Sequence, residues 1–180
     1  MARLSWVQRL YWRYLSKPLA HRALYNHVIE QPIASVLEIG MGSGERIRTL
    51  LSLYQLPPET QQLRYAAIDP FESAGDAGHL SLKAAHRVLS EHQVKAHLVP
   101  GDVVSGISRV AHSVLPSDLV IIDGHWNTST AEGEMIDRWL PRLCHRGSTI
   151  FAASVPGGEL VRIPTPGAQA PVTTTTTKAA

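Results

Sequence analysis

The chain has little of what holds a polypeptide together without a hydrophobic core. It has a single cysteine, Cys144, which excludes a disulfide framework and any multi-cysteine zinc site. It has no apolar run approaching the ~18 to 20 residues that span a bilayer. The first 29 residues carry Arg3, Arg9, Arg13, Lys17 and Arg22 and no acid, so 12 basic residues face 15 acidic ones over the rest. The formal charge of +2 therefore hides an asymmetry. Only the first segment can form a basic patch, which disfavours a uniformly cationic nucleic-acid binder. Charges interrupt the N-terminus throughout, so it is not read as a secretory signal, and the single thiol fits a reducing, cytoplasmic setting. Apolar residues make up 44% and charged residues 18% of 180, a globular balance for one domain of ordinary size.

What is present is an alternation of short apolar runs and helical periods. Residues 3 to 15 place Leu4, Val7, Tyr11 and Tyr14 at three- and four-residue steps. Pro18 opens a second helix, with Leu19, Ala23 and His27 on one side, and Gln31-Pro32 ends it. Strands are expected at 35–39, 64–68, 94–99, 119–122 and 148–152. Helices are expected between them at 46–54, 77–92, 103–114 and 130–143, the last stopped by Gly147. A short strand is expected within 159–163. Serial β-α units imply an α/β fold: a doubly wound, mostly parallel Rossmann-like sheet in a three-layer α/β/α sandwich. The expected organisation is an N-terminal helical segment over 1–32, the α/β domain over 33–164 and a disordered, threonine-rich tail over 165–180.

The chemistry-bearing residues sit where strands end. Glu38-Ile39-Gly40-Met41-Gly42-Ser43-Gly44 joins the first strand to the next helix. Glycines let a backbone turn sharply and approach a ligand, and the helix N-terminus beyond them offers free N–H groups. A dinucleotide fingerprint starting at Gly40 needs a third glycine where Glu45 stands, and no P-loop Gly-Lys-Ser/Thr exists. Asp69 closes the second strand, 25 residues beyond Gly44. A carboxylate there accepts from both hydroxyls of a ribose, and its alternative role is a helix cap. Asp102 after the third strand reads as a cap on the helix from Val103, the alternative being the ligand contact that the resemblance below implies. Pro70 and Phe71 stack on a base or belong to the core. Asp123, at the end of the fourth strand, faces Gly40 across the strand-order switch, where open α/β sheets bind ligands. Asp123 or His125 there can take a proton from a substrate hydroxyl. Trp126 is a substrate wall or simple packing.

The string Val36-Leu37-Glu38-Ile39-Gly40-Met41-Gly42-Ser43-Gly44 resembles the first motif of the class I S-adenosylmethionine-dependent methyltransferases. Asp118 to Trp126 resembles the fourth motif of a subgroup with Ile-Asp-Gly-x-His, with the histidine one residue early. The resemblance covers residues 33 to 153. It implies S-adenosylmethionine as cofactor and transfer of its methyl group to a small-molecule acceptor. Gly40, Gly42 and Gly44 would admit the methionyl part, Glu38 would orient the loop and the ammonium, Asp69 would hold the ribose, and Asp102, Pro70 and Phe71 would meet the adenine. Asp123 and His125 are then the catalytic candidates. Ser154 stands where many relatives carry a metal-binding acid, so no metal is expected. The family's final β-hairpin is nearly absent, and a second copy or a partner is expected to complete that sheet edge. The competing readings are a binding module of the same fold without turnover and a nicotinamide-dependent oxidoreductase.

Overall fold

The short apolar runs at the centre of this chain's sheet become strands buried on both faces, and amphipathic periods between the strands become helices. The computed structural model describes residues 6–14, 18–75, 78–124, 126–127 and 129–166. The strands are β1 (Ser35–Ile39), β2 (Arg64–Asp69), β3 (Lys95–Pro100), β4 (Ser117–Asp123), β5 (Cys144–Ala153) and β6 (Val161–Ile163). The α-helices are α1 (Trp6–Tyr14), α2 (Arg22–Glu30), α3 (Glu45–Leu53), α4 (Leu82–Glu91), α5 (Val103–Ser113) and α6 (Ala131–Leu143). One sheet runs β3-β2-β1-β4-β5-β6, parallel except for β6, which pairs antiparallel with β5. The order reverses between β1 and β4, the place where such sheets open a crevice beyond their strand ends.

Two cores flank the sheet. On one face, side chains of α2, α3 and α4, among them Leu24, Tyr25, Leu50 and Leu89, pack on Val36, Tyr65, Leu119 and Phe151. On the other, Ile107 and Val110 of α5 and Ile136 and Leu140 of α6 pack on Leu37, Ile68, Val120 and Ile150. The central strands bury nearly every residue, which is why they read as unbroken apolar runs. Gly106 brings α5 down onto β2. A Cβ there would lie 2.6 Å from Ile68 Cγ2. Asp118 fastens the amino end of β4 to β1, accepting from the N–H groups of Ala34 (2.8 Å) and Ser35 (2.9 Å) and from the Ser35 hydroxyl (3.0 Å). Burial opposes its charge, but these bonds and His145 hold its carboxyl below the usual aspartate value.

Several boundaries move from their expected places. The second helix begins with a 3-10 turn at Leu19–His21, whose tighter winding shifts the phase of the residues beyond it. The buried face of α2 is therefore Leu24, Tyr25, Val28 and Ile29, while Leu19 is 66% exposed. Helix α4 starts at Leu82 rather than residue 77, because Ser81 caps it, accepting from the Ala84 N–H. Helix α6 ends at Leu143 as expected, but β5 begins at the next residue, so the stop is not Gly147, and Pro141 lies in its last turn. Strand β5 begins at Cys144, but its first residues, His145 to Gly147, are exposed and carry no apolar signal. The expected tail lies outside the described residues beyond position 166, as does the side chain of Val7 in the first helix. Cys144 is buried, and burial pushes its thiol up to about 12, so it is chemically quiet.

His27 of α2 lies against Phe151, with ring centroids 5.7 Å apart. Burial, aided by Arg162, lowers it from its ordinary 6.5. The folded chain thus holds a neutral imidazole that the unfolded chain protonates. Its contribution is complete above pH 6.5 and is lost as pH falls through the lowered value. Urea unfolding at pH 7.5 and 5.5 should show lower stability in acid, with a slope of at most about 1.4 kcal/mol per pH unit from this residue. His27→Gln should flatten that slope. An unchanged slope in the variant would show that His27 has no part in it.

Candidate functional site

The site begins with the backbone after β1. Gly40 extends the ladder, its N–H donating to Ile68 O at 3.0 Å, and the chain then turns through positive φ at Gly40 (83°), Gly42 (58°) and Gly44 (73°). Gly40 has no room for a side chain, since a Cβ would stand 2.7 Å from Asp123 O. Gly42 is different. A Cβ there would meet nothing within 4 Å, because that side opens on a cleft of about 600 Å³. Helix α3 starts immediately after, with its first N–H groups at the turn.

The cleft lies beyond the carboxyl ends of β1, β2, β3 and β4. The glycine turn forms one wall, Asp69 and Pro70 another, and Gly101, Asp102 and Val103 a third. Asp123, Glu132, Pro156 and Gly157 close the far side, and His21 reaches in from the N-terminal segment. A volume of this size suits a ligand of nucleoside dimensions. Five carboxylates, Glu45, Asp69, Asp102, Asp123 and Glu132, line it against one guanidinium, so the cleft favours cations.

That guanidinium belongs to Arg46, a residue the sequence does not single out. It is 5% exposed and sits under the turn. Its Nε donates to Glu38 Oε1 at 2.5 Å, Nη1 to Asp123 Oδ2 at 2.7 Å and Nη2 to Gly40 O at 2.6 Å. The Tyr65 hydroxyl donates to the other Glu38 oxygen. Burial alone would lower the Arg46 pKa, but Glu38 and Asp123 outweigh it and the guanidinium stays charged. Burial pushes the Glu38 carboxyl up, against the pull of Arg46 and Tyr65. Arg46 is the first position of a helix face that otherwise reads as apolar. Its signal in the sequence is a lone charge in phase with Leu50 and Leu53.

The expected site residues come together only in part. Gly40, Gly42, Asp69, Pro70, Asp102 and Asp123 all border the cleft. Glu38 is 1% exposed and behind the turn, so it orients the loop through Arg46 but does not face a ligand. Gly44 also lies behind, with a Cβ there 2.6 Å from Leu80. Phe71 is a core residue at 1% exposure, drawn inward because its N–H donates to Asp69 Oδ1 at 2.6 Å, and it is no part of the cleft wall. Asp69 is itself buried. Its Oδ2 accepts from the Gly42 N–H at 2.9 Å, and its Oδ1 lies 3.2 Å from His79 Nδ1. It thus ties the glycine turn to β2. His79 also belongs to the cleft wall.

Asp102 borders the cleft and serves as a helix cap. It caps α5, accepting from the Ser105 N–H at 2.8 Å, and that bond holds its carboxyl below the usual range. Asp123 is not the available base its position suggests, because both its oxygens are engaged, one by Arg46 and one by the Gly157 N–H at 2.8 Å. His125 lies outside the described residues. Trp126 packs on the α5/α6 core and does not line the cleft. The cleft's second imidazole is His21, half-buried, with its Nδ1 3.4 Å from the Tyr25 hydroxyl and no partner for Nε2 among the described residues. Burial first, and Arg46 second, lower its pKa, so it is neutral at pH 7. Among the described residues, no three His, Cys, Asp or Glu side chains cluster as a metal would need.

Three solved structures place this architecture. The O-methyltransferase TomG of Streptomyces achromogenes, solved with SAM, is similar at 19% identity and a TM-score of 0.53 over 78% of this chain and 56% of that one. An O-methyltransferase of Bacillus cereus, solved with SAH, is similar at 16% identity and 0.53 over 78% and 57%. The SAH-bound methyltransferase PaMTH1 of Podospora anserina is similar at 13% and 0.51 over 77% and 53%. The fold is therefore the Rossmann-like fold of class I methyltransferases. The chain spans a little over half the length of these relatives. No family model matches the sequence, and no curated protein matches it.

Breaking the Arg46 cluster leaves buried carboxylates without a counter-charge. Arg46→Met should cost about 3 to 5 kcal/mol in urea unfolding. Arg46→Lys keeps the charge but loses the three-way fork and should cost less. A loss under about 1 kcal/mol in Arg46→Met would show that the cluster does not hold this end of the sheet.

Proposed function

We propose that the chain is an S-adenosylmethionine-dependent methyltransferase acting on a small-molecule acceptor. The observation that carries this reading is the three-glycine turn, backed by Arg46 and opening at Gly42 onto an acid-walled cleft at the strand-order switch. The residues fit the cofactor's chemistry. Its sulfonium and ammonium charges suit the surplus of carboxylates, and its carboxylate suits the N–H groups where α3 begins. Asp69 would hold the ribose, exchanging the contact with His79 for ribose hydroxyls. Asp102 and Pro70 would border the adenine.

When bound, the cofactor supplies an electrophilic methyl group on sulfur. The chain's work is then alignment and exclusion of water. Asp123, fixed by Arg46 and Gly157, acts as a positioning residue at the acceptor end of the cleft. His21, neutral in its surroundings, is the group assigned to take the acceptor's hydroxyl proton, and a ring rotation is needed to present Nε2. A role for His125 beside it, and membership of the subgroup with the Ile-Asp-Gly-x-His motif, belong to the same proposal. So do a cytoplasmic location and a second copy or partner at the β6 edge. Among the described residues no helix is long and apolar enough to cross a membrane. A second reading, a binding module without turnover, is favoured by one fact: the expected base, Asp123, is committed to an ion pair.

Calorimetry should detect S-adenosylmethionine and S-adenosylhomocysteine but not a reduced nicotinamide dinucleotide. Gly42→Val places a side chain in the cleft at a residue of positive φ, so it should cost roughly 1 to 2 kcal/mol of stability and at least about tenfold in cofactor affinity. Unchanged affinity in the folded variant would sink the proposal. Binding without production of S-adenosylhomocysteine across a panel of phenolic and catecholic acceptors would favour the binding module.

A further inference from the structure

We infer that the chain carries a second ligand site, for a phosphoryl-type oxyanion, at the opposite end of the sheet from the cleft. A cavity of about 320 Å³ lies at the amino ends of β1, β2, β3 and β4. Its cationic wall comes from two adjacent strands. Arg64 of β2 is the register partner of Lys95 of β3, and Ala66 is that of His97. In parallel strands, register partners and residues two apart share a face, so Arg64, Lys95 and His97 project together. Like charges placed directly opposite one another on a sheet are unfavourable.

Nothing among the described residues neutralises them. The cavity lining contains no carboxylate. Among the described residues, the side chains of Arg64, Lys95 and His97 make no hydrogen bond or ion pair. Asp118, the acid nearest in sequence to Ser117 on this wall, is committed to Ala34, Ser35 and His145. Ser117, a residue 3% exposed, also lines the cavity. The opening exists because α5 ends at Ser113, leaving Val114 and Leu115 as an apolar rim over the strand ends. Leu115 is 68% exposed.

The wall thus offers three cationic or donor groups, a hydroxyl and an apolar lip. An oxyanion with several acceptor oxygens satisfies the donors at once, and a guanidinium beside an ammonium is a phosphate-binding pair. The cavity is large enough for a phosphate and a small organic substituent, and too small for the ligand of the main cleft. The site shares no lining residue with that cleft, so it does not depend on the methyltransferase reading.

The test is titration of the isotopically labelled full chain with inorganic phosphate and with glycerol 3-phosphate, read residue by residue by NMR. Saturable shifts at residues 64–66, 95–97 and 113–117, with none at 40–44, are expected. Binding should weaken as salt rises. The Arg64→Gln, Lys95→Gln pair should lose at least about tenfold in affinity, and Ser117→Ala a smaller factor. Lys95→Glu, at an exposed position, keeps the test open if the double variant folds poorly. Equal affinity for the two probes assigns the site to the phosphoryl group alone, and tighter glycerol 3-phosphate assigns the apolar lip a part. Absence of saturable shifts, shifts confined to the glycine turn, or binding unchanged in both the double variant and Lys95→Glu (an adventitious ion only) would overturn the inference.

Discussion

One buried guanidinium joins the parts of this protein that a ligand would meet. Arg46 reaches Glu38 at the end of β1, the carbonyl of Gly40 in the turn and Asp123 at the end of β4. Those three points lie on, or directly after, the two strands between which the sheet reverses its order. A charge taken out of water costs several kcal/mol, and this one is tolerable only because two carboxylates and a carbonyl surround it. The demand runs in both directions. The carboxylates need the arginine as much as it needs them, so the turn, the strand ends and the first turn of α3 hold each other in one arrangement.

The same matching of charge explains the rest of the cleft. Asp69 gives its oxygens to the N–H groups of Gly42 and Phe71, linking the turn to β2 as Arg46 links it to β4. Gly42 O accepts from the Leu80 N–H at 2.8 Å, which draws residues 78–80 over the opening. The turn is thereby fixed from three sides while its Gly42 face stays clear. A preorganised backbone of this kind lowers the ordering cost of binding. The opposite end of the sheet shows the contrary pattern, with cations left unmatched beside a cavity.

Much of this is legible from the residues. The apolar run Leu119 to Ile122, covered on both faces, and the glycine turn after Ile39 are local signals, and the fold follows from their order. The sequence cannot show partners that lie far apart along the chain. Arg46 and Asp123 are separated by 77 positions, and only the sheet order puts them in contact. Asp69 and Asp123 read as available because carboxylates at strand ends commonly are. Here backbone N–H groups and Arg46 reach them first. Phe71 is drawn into the core by its N–H bond to Asp69, a contact two residues long that no periodicity reveals. His21 is hidden by the 3-10 turn that changes the phase of the second helix.

The central claim is that the Arg46-braced turn is a cofactor cradle formed before the ligand arrives. Its most direct test is a crystal structure of the chain grown with S-adenosylhomocysteine. The account predicts the ligand in the cleft, its amino-acid end at residues 40–44 and its nucleoside between Asp69 and Asp102, with the contacts of Arg46 to Glu38, Gly40 and Asp123 intact. A cleft that stays empty at saturating ligand, or a ligand bound only after the Arg46 cluster has come apart, would contradict it.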